Sequence, residues 1–326
     1  MKINNLKVVL GVLFVSLFLL SCSNASLKTS SESLQESIKK GTDWEMYGLR
    51  GKVKSYKHLS FKAKVNFFKV KKGEMTDYSG ENYECFFDKK GKILEKKWYK
   101  KDGGLDKKEI YKYNENGKNI KITRLDLDGN KLQEESFKYD ENGLLIGSKF
   151  QNFKRNYLQT SIYTYNSNGK LIKKEILGRY KYTIIYKYNK NGDLREKFFT
   201  SLDHEERTKT NFSYDLRGNL ISENSHRTMR DVFREKTSHQ YKYDENDNLI
   251  EINIYGNLAE HNKYTFKYDD RGNKIEERYY KHDYKRNEFL KHKIDFRYDK
   301  KGNLIKSIKY EDGKAKKMVE ITLEYY

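Results

Sequence analysis

An all-β fold is what this sequence of 326 residues predicts: a long antiparallel meander of about nine hairpins, drawn into one strongly coiled or barrel-like sheet. Three observations carry that expectation. An aromatic–x–aromatic–Asp/Asn–x–x–Gly motif returns about every 26 residues along most of the chain. There are 28 Tyr and 17 Phe, and the absence of Pro excludes Pro-rich linkers. Hydrophobic residues amount to only 36%, low for a globular chain, and amphipathic rings make up much of that share.

The chain opens with an address. Lys2 and Lys7 precede an apolar run, Val8 to Leu20, broken only by Gly11 and Ser16. That run is short for a spanning helix and suits a signal-peptide core. It ends in Leu19-Leu20-Ser21-Cys22, which resembles the lipobox of bacterial lipoproteins; an ordinary secretory signal with a chance Cys is the alternative. The resemblance implies that residues 1–21 are a signal peptide and that Cys22 carries more than one acyl chain. Two chains anchor stably where one does not. Losing Lys2 and Lys7 lowers the formal charge from +20 to about +18. Residues 22–43 read as the lipidated Cys and a flexible tether, rich in Ser, Lys and Thr, with a helical turn or two around Leu34 to Lys40. No later apolar run is long enough for a membrane helix, so the expectation is a tethered protein.

Residues 44–326 form the repeat domain. Tyr111-Lys-Tyr113-Asn114-Glu-Asn-Gly117, Phe137-Lys-Tyr139-Asp140-Glu-Asn-Gly143 and Phe266-Lys-Tyr268-Asp269-Asp-Arg-Gly272 show the unit well. Period two sends both rings to one face and the middle residue to the other. The Asp or Asn opens a turn, and the Gly supplies left-handed backbone for a type I turn with a G1 bulge. Asp247 replaces the Gly in one unit. Return strands begin with pairs such as Leu220-Ile221, Leu249-Ile250 and Leu304-Ile305. A lone hairpin buries too little to offset its ordering entropy, so the units must zip into one sheet.

The signature Tyr-x-Tyr-Asp-x-x-Gly-Asn-Leu-Ile, almost intact over Tyr241 to Ile250, resembles the YD repeats of the RHS family, and the likeness runs from about Tyr83 to Tyr326. That resemblance implies a β-sheet shell or a surface-adhesion role. The proline-bearing core motif that precedes the toxin in large RHS proteins is missing. Some twenty strands also leave a lumen of at most about 20 Å, too small for a folded toxin domain. The short YD-repeat lipoproteins of bacteria are the closer match.

Candidate sites are few. The middle residues Lys112, Lys138, Lys187, Lys242, Lys267 and Arg297 form an outward basic ladder for a polyanion such as lipopolysaccharide or an anionic glycan; nucleic acid is disfavoured. The bland reading is a solvated face whose lysines block edge pairing. Thr164 and Ser213 interrupt the ladder. Trp98-Tyr99, Tyr279, Tyr280 and Tyr284 offer outward rings for sugar stacking. The periodic Asp/Asn positions read as turn formers rather than calcium ligands, and no metal or cofactor is expected. Cys85 sits at an inward ring position and reads as an inert thiol. The seven scattered His show no catalytic or metal spacing. The functional expectation is a non-enzymatic, membrane-anchored envelope lipoprotein with a binding or structural role. Its partners would be the membrane, an anionic glycan or an envelope protein, with the outer membrane favoured in a diderm cell. An adhesin is the alternative, and an envelope hydrolase is the least favoured.

Overall fold

The computed structural model describes residues 42–67, 69–77, 80–257, 261–282 and 287–326. They form one short helix, α1 (Asp43–Met46), and 21 strands of antiparallel sheet. Two compact units emerge, one of residues 42–162 with 294–326 and one of residues 163–293. The first contains β1 (Val53–Asn66), β2 (Lys69–Met75), β3 (Tyr83–Phe87), β4 (Ile93–Tyr99), β5 (Leu105–Tyr113), β6 (Asn119–Leu125), β7 (Lys131–Tyr139) and β8 (Leu145–Asn152). β9 (Tyr157–Tyr165) runs to its boundary. The second contains β10 (Leu171–Leu177), β11 (Tyr182–Tyr188), β12 (Leu194–Ser201), β13 (Glu206–Tyr214), β14 (Leu220–Met229), β15 (Val232–Tyr243), β16 (Leu249–Tyr255), β17 (His261–Tyr268) and β18 (Lys274–His282). β19 (Glu288–Tyr298) crosses its far boundary, and β20 (Leu304–Glu311) and β21 (Lys314–Tyr325) belong to the first unit.

Each motif closes a hairpin in the same way. At Asp88 the backbone N–H donates to the Lys92 carbonyl, and the Gly91 N–H donates back to the Asp88 carbonyl. The Asp88 carboxylate accepts the N–H groups of Lys90 and Lys92, both at 2.8 Å. Gly91 then needs φ +81°, a conformation that a Cβ resists. Asp247, in the Gly position of its turn, holds φ +63°. Two residues further on the ladder slips by one. Leu94, Ile120, Ile146, Ile221, Ile250 and Ile275 are each skipped in the pairing with the preceding strand, which makes them bulge residues.

A bulge leaves a backbone carbonyl without its ladder partner, and the second ring of the next motif supplies one. Tyr113 Oη donates to Ile93 O at 2.7 Å, Tyr139 to Asn119 O at 2.7 Å and Tyr188 to Leu171 O at 2.7 Å. Tyr214 reaches Leu194 O at 2.9 Å, Tyr243 reaches Leu220 O at 2.8 Å and Tyr268 reaches Leu249 O at 2.7 Å. The hydroxyl therefore fastens each hairpin to the one before it. Phe87 occupies this position in the first motif, where Trp44 and Tyr47 pack against the ring.

One expectation needs correction. A meander of about nine hairpins, however coiled, leaves its first and last strands as free edges. Here β1 lies between two partners: Ser55 to His58 pair with β3, while Val53 to Lys62 pair with β21. The last strand pairs with the first: Leu323 to Tyr325 lie against Val53 to Tyr56 instead of solvent. Pairing first with last removes two unpaired edges that would otherwise invite association with other chains. All-β and antiparallel stand; the coiled meander of about nine hairpins does not.

The first unit packs Leu49, Val53, Tyr56, Tyr83, Cys85, Phe87, Ile93, Trp98 and Ile321 into one core, with Trp44 and Tyr47 over it. Thr42 Oγ1 caps α1 by accepting from Glu45 N. Trp44 Nε1 donates to Val53 O at 2.7 Å, and the buried Asp43 carboxylate accepts from Ile93 N. Burial raises the Asp43 carboxyl above its ordinary value, against these hydrogen bonds. In the second unit Leu249, Ile252, Tyr264 and Phe266 form the corresponding core.

Candidate functional site

The outward ladder is where alternation puts it. Lys112, Lys138, Lys187, Lys242, Lys267 and Arg297 are all exposed, between rings that are less exposed or buried. Their surroundings differ. In the second unit Lys187, Lys242 and Lys267 each stand directly opposite a glutamate on the neighbouring strand: Glu196 at 3.7 Å, Glu251 at 2.6 Å and Glu276 at 3.4 Å. The hydrogen bond to Glu251 holds the Lys242 ammonium above its ordinary value. Such exposed pairs add about 0–1 kcal/mol each and cancel most of the local field. In the first unit Lys112 faces Lys121 and Lys138 faces Gly147, with no carboxylate across the ladder. Arg297 lies on β19.

The ring pairs expected for sugar stacking are largely engaged. Trp98 is buried, with Lys96 at 5.1 Å, Lys107 at 6.0 Å and the Arg124 guanidinium at 5.2 Å from its ring centroid. Tyr99 donates to Glu84 and lies under Lys57. Tyr279 stacks on Tyr264 with centroids 4.7 Å apart, and Lys263 sits 4.9 Å from the Tyr280 ring centroid. Lysine and arginine lie over Trp98, Tyr99 and Tyr280, and Tyr264 lies over Tyr279. Tyr284 lies outside the described residues, as do Cys22, the expected signal peptide and the part of the expected tether before Thr42.

The turn carboxylates are committed to their own loops. Asp244 Oδ1 accepts from Asn246 N and Asn248 N, and Asn248 Nδ2 donates to Oδ2 at 2.9 Å. Asp269 makes the same three bonds with Arg271 and Asn273, and the Asn273 side chain is the chief reason its carboxyl lies below the ordinary value. Among the described residues no group of three His, Cys, Asp or Glu is arranged to hold a metal ion. Cys85 is fully buried, and burial pushes its thiol up, away from nucleophilic use. His58 donates from Nδ1 to Glu81 O at 2.6 Å and stacks on Tyr83, its rings 7° from parallel; burial lowers its pKa. His261 stacks between Tyr255 and His282, at 4.5 and 3.9 Å.

Three features are absent from the expectations drawn on sequence. The Asn after the motif Gly is part of the turn, because its amide closes onto the Asp carboxylate. Connectors between hairpins sometimes reuse the same turn: Asp126 accepts from Asp128 N and Asn130 N, and Asn130 Nδ2 donates to it at 3.1 Å. That repeat was legible as Asp126-Leu-Asp-Gly129-Asn130, though no Tyr-x-Tyr precedes it. Third, β1 and β2 make a Lys-rich hairpin with Phe67 at its tip.

Comparisons with known proteins add resemblance only. No family model matches the chain, and no curated protein does. Among solved structures, a porin-like protein from Bacteroides uniformis is 9% identical over 83% of this chain and 96% of its own, with a TM-score of 0.35. A second, from Bacteroides vulgatus, is 10% identical over 84% and 98%, with a TM-score of 0.30. The TccC3-containing Tc holotoxin pore of Photorhabdus luminescens is 12% identical over 74% of this chain but 20% of its own, with a TM-score of 0.22. This chain thus spans about a fifth of that toxin chain. At TM-scores below 0.5 these likenesses assign it neither fold nor function.

Proposed function

We propose that the protein is a lipid-anchored component of a bacterial envelope that acts by contact, without catalysis, through the surfaces of its sheet. The apolar run Val8 to Leu20 ending in Leu19-Leu20-Ser21-Cys22 carries this reading. The fold agrees with it in two ways. At Thr42, where the described residues begin, α1 is fastened to the β3–β4 turn through Asp43 N to Gly91 O at 2.9 Å, so a tether from Cys22 would draw that turn toward its membrane. The exposed side of β13 carries Arg207, Lys209, Asn211 and Ser213. A strand with that face would be costly in hydrocarbon, about 2–4 kcal/mol for each Lys or Arg at mid-depth, which favours tethering over insertion of the sheet.

Replacing Cys22 by Ala in cells tests the anchor. Expected are loss of the protein from the membrane fraction and loss of incorporated palmitate; unchanged membrane retention would refute lipidation. A second reading, polyanion binding, is favoured by Lys112 and Lys138, which face no carboxylate. Lipopolysaccharide and heparin binding that falls steeply with salt and is lost on Lys112→Gln/Lys138→Gln would support it. Binding indifferent to both changes would remove it.

A further inference from the structure

The hairpin of β1 and β2 is unlike the others. Beyond Phe61 its ladder pairs Ala63 with Lys72, Lys64 with Lys71, Val65 with Val70 and Asn66 with Lys69. Alternation then sorts the side chains into two faces. Lys62, Lys64, Lys69 and Lys71 lie with Asn66 on one, and Ala63, Val65 and Val70 lie with Lys72 on the other. From Lys62 to Lys72 every charged residue is Lys. Glu74, at the base, is held by Lys62 at 3.6 Å and Lys101 at 3.3 Å. Lys64 and Lys71 stand directly opposite each other, a like-charge pair that an isolated hairpin would avoid. At the tip Phe67 is 90% exposed with φ +45°, and Val65 is 61% exposed. Tight hairpin turns of this kind normally place Asn, Asp or Gly at positive φ. A large ring there is both conformationally unfavourable and open to water.

Lysines guarding a strand edge would explain the charges but not the ring. A basic face, an aliphatic face and an aromatic tip on one projecting element match the chemistry of an interface between acyl chains and anionic headgroups. We propose that the β1–β2 hairpin is a prong that docks on an anionic phospholipid surface, with Phe67 and Val65 entering the acyl boundary and Lys62, Lys64, Lys69 and Lys71 lying among the phosphates. It sits at the far end of β1 from the β3–β4 turn and α1.

The test uses the full chain carrying Cys22→Ala and Val65→Cys, labelled at position 65 with an environment-sensitive fluorophore; the remaining thiol, Cys85, is fully buried. A control carries the label through Leu216→Cys, in the β13–β14 turn, where the native side chain is fully exposed. Phosphatidylcholine vesicles with phosphatidylglycerol should shift the position-65 emission to the blue, and phosphatidylcholine vesicles alone should not. The control label should stay unchanged with both. Adding Lys64→Gln and Lys71→Gln should weaken partitioning about 25-fold, at roughly fivefold per lysine. Phe67→Ser should remove the blue shift. No response at position 65 in a chain with native circular dichroism would overturn the proposal, as would an equal response to neutral vesicles or to the control label. The same shift with heparin in place of vesicles would overturn it in favour of a general polyanion site. Because Cys22 is absent throughout, none of these outcomes depends on lipidation.

Discussion

The two ends of the hairpins differ more than the two units do. At the motif end, turns in both units repeat one arrangement, with the Asp or Asn oxygen on backbone N–H groups, left-handed backbone at the fourth position and a tyrosine from the next hairpin on the bulge carbonyl. At the connector end some loops reuse the motif turn and others do not, and large apolar side chains lie in solvent: Phe67, Leu127 and Phe153 in the first unit, and Tyr180, Leu202 and Val232 in the second. Uniformity at one end is what stacking of hairpins requires. Variety at the other is where contacts with other molecules can be written without disturbing the sheet.

Two glycines with nearly the same backbone sharpen this contrast most. Gly91, at a motif turn, has φ +81°, and a Cβ there would lie 2.7 Å from the Trp44 ring; Gly103, at a connector, has φ +85° and open space around it. Gly91→Ala should cost about 2–5 kcal/mol, combining left-handed strain with overpacking against α1. Gly103→Ala should cost only the strain, about 1–2 kcal/mol. Equal losses in urea denaturation would erase the distinction between the ends.

The hydroxyl ladder comes next. Tyr268→Phe leaves the Leu249 carbonyl without its donor and should destabilise by about 1 kcal/mol, rising toward 3 if no water reaches it. Leu127→Ser, at an exposed connector, should stay within about 0.5 kcal/mol of the parent. A Tyr268→Phe variant as stable as Leu127→Ser would mean that the hydroxyl is ornamental.

The smallest effect concerns pH. Burial lowers the pKa of His58, so the folded state keeps it neutral while the unfolded chain takes up a proton below about 6.5. The stability due to His58 is therefore complete above that pH and is lost as pH falls toward the lowered folded value. His58→Gln should flatten the decline of stability between neutral and mildly acidic pH. An unaltered slope would show that His58 is protonated without cost, contrary to its buried stack on Tyr83.

Much of the motif end was legible in sequence, because its rules are local: period two for the rings, Asx chemistry for the turn, glycine for the backbone. Cys85 at an inward position and the exposed lysines followed from the same alternation. What was not legible depends on partners distant in sequence. Nothing in Tyr268 announces that its oxygen will meet Leu249, and nothing in Leu323 to Tyr325 announces Val53 to Tyr56. The glutamates opposite Lys187, Lys242 and Lys267 were present in the sequence. Without the bulge register, however, which lysine faces which glutamate is not legible.

Pairing of β1 with β21 is most directly tested by amide hydrogen exchange on the full chain. If the pair forms, the amides of Leu59 and Phe61 and of their partners Glu320 and Met318 exchange as slowly as those in the middle of β6 and β7. Rapid exchange at both segments, with β6 and β7 still protected, would mean that the first and last strands fray as free edges.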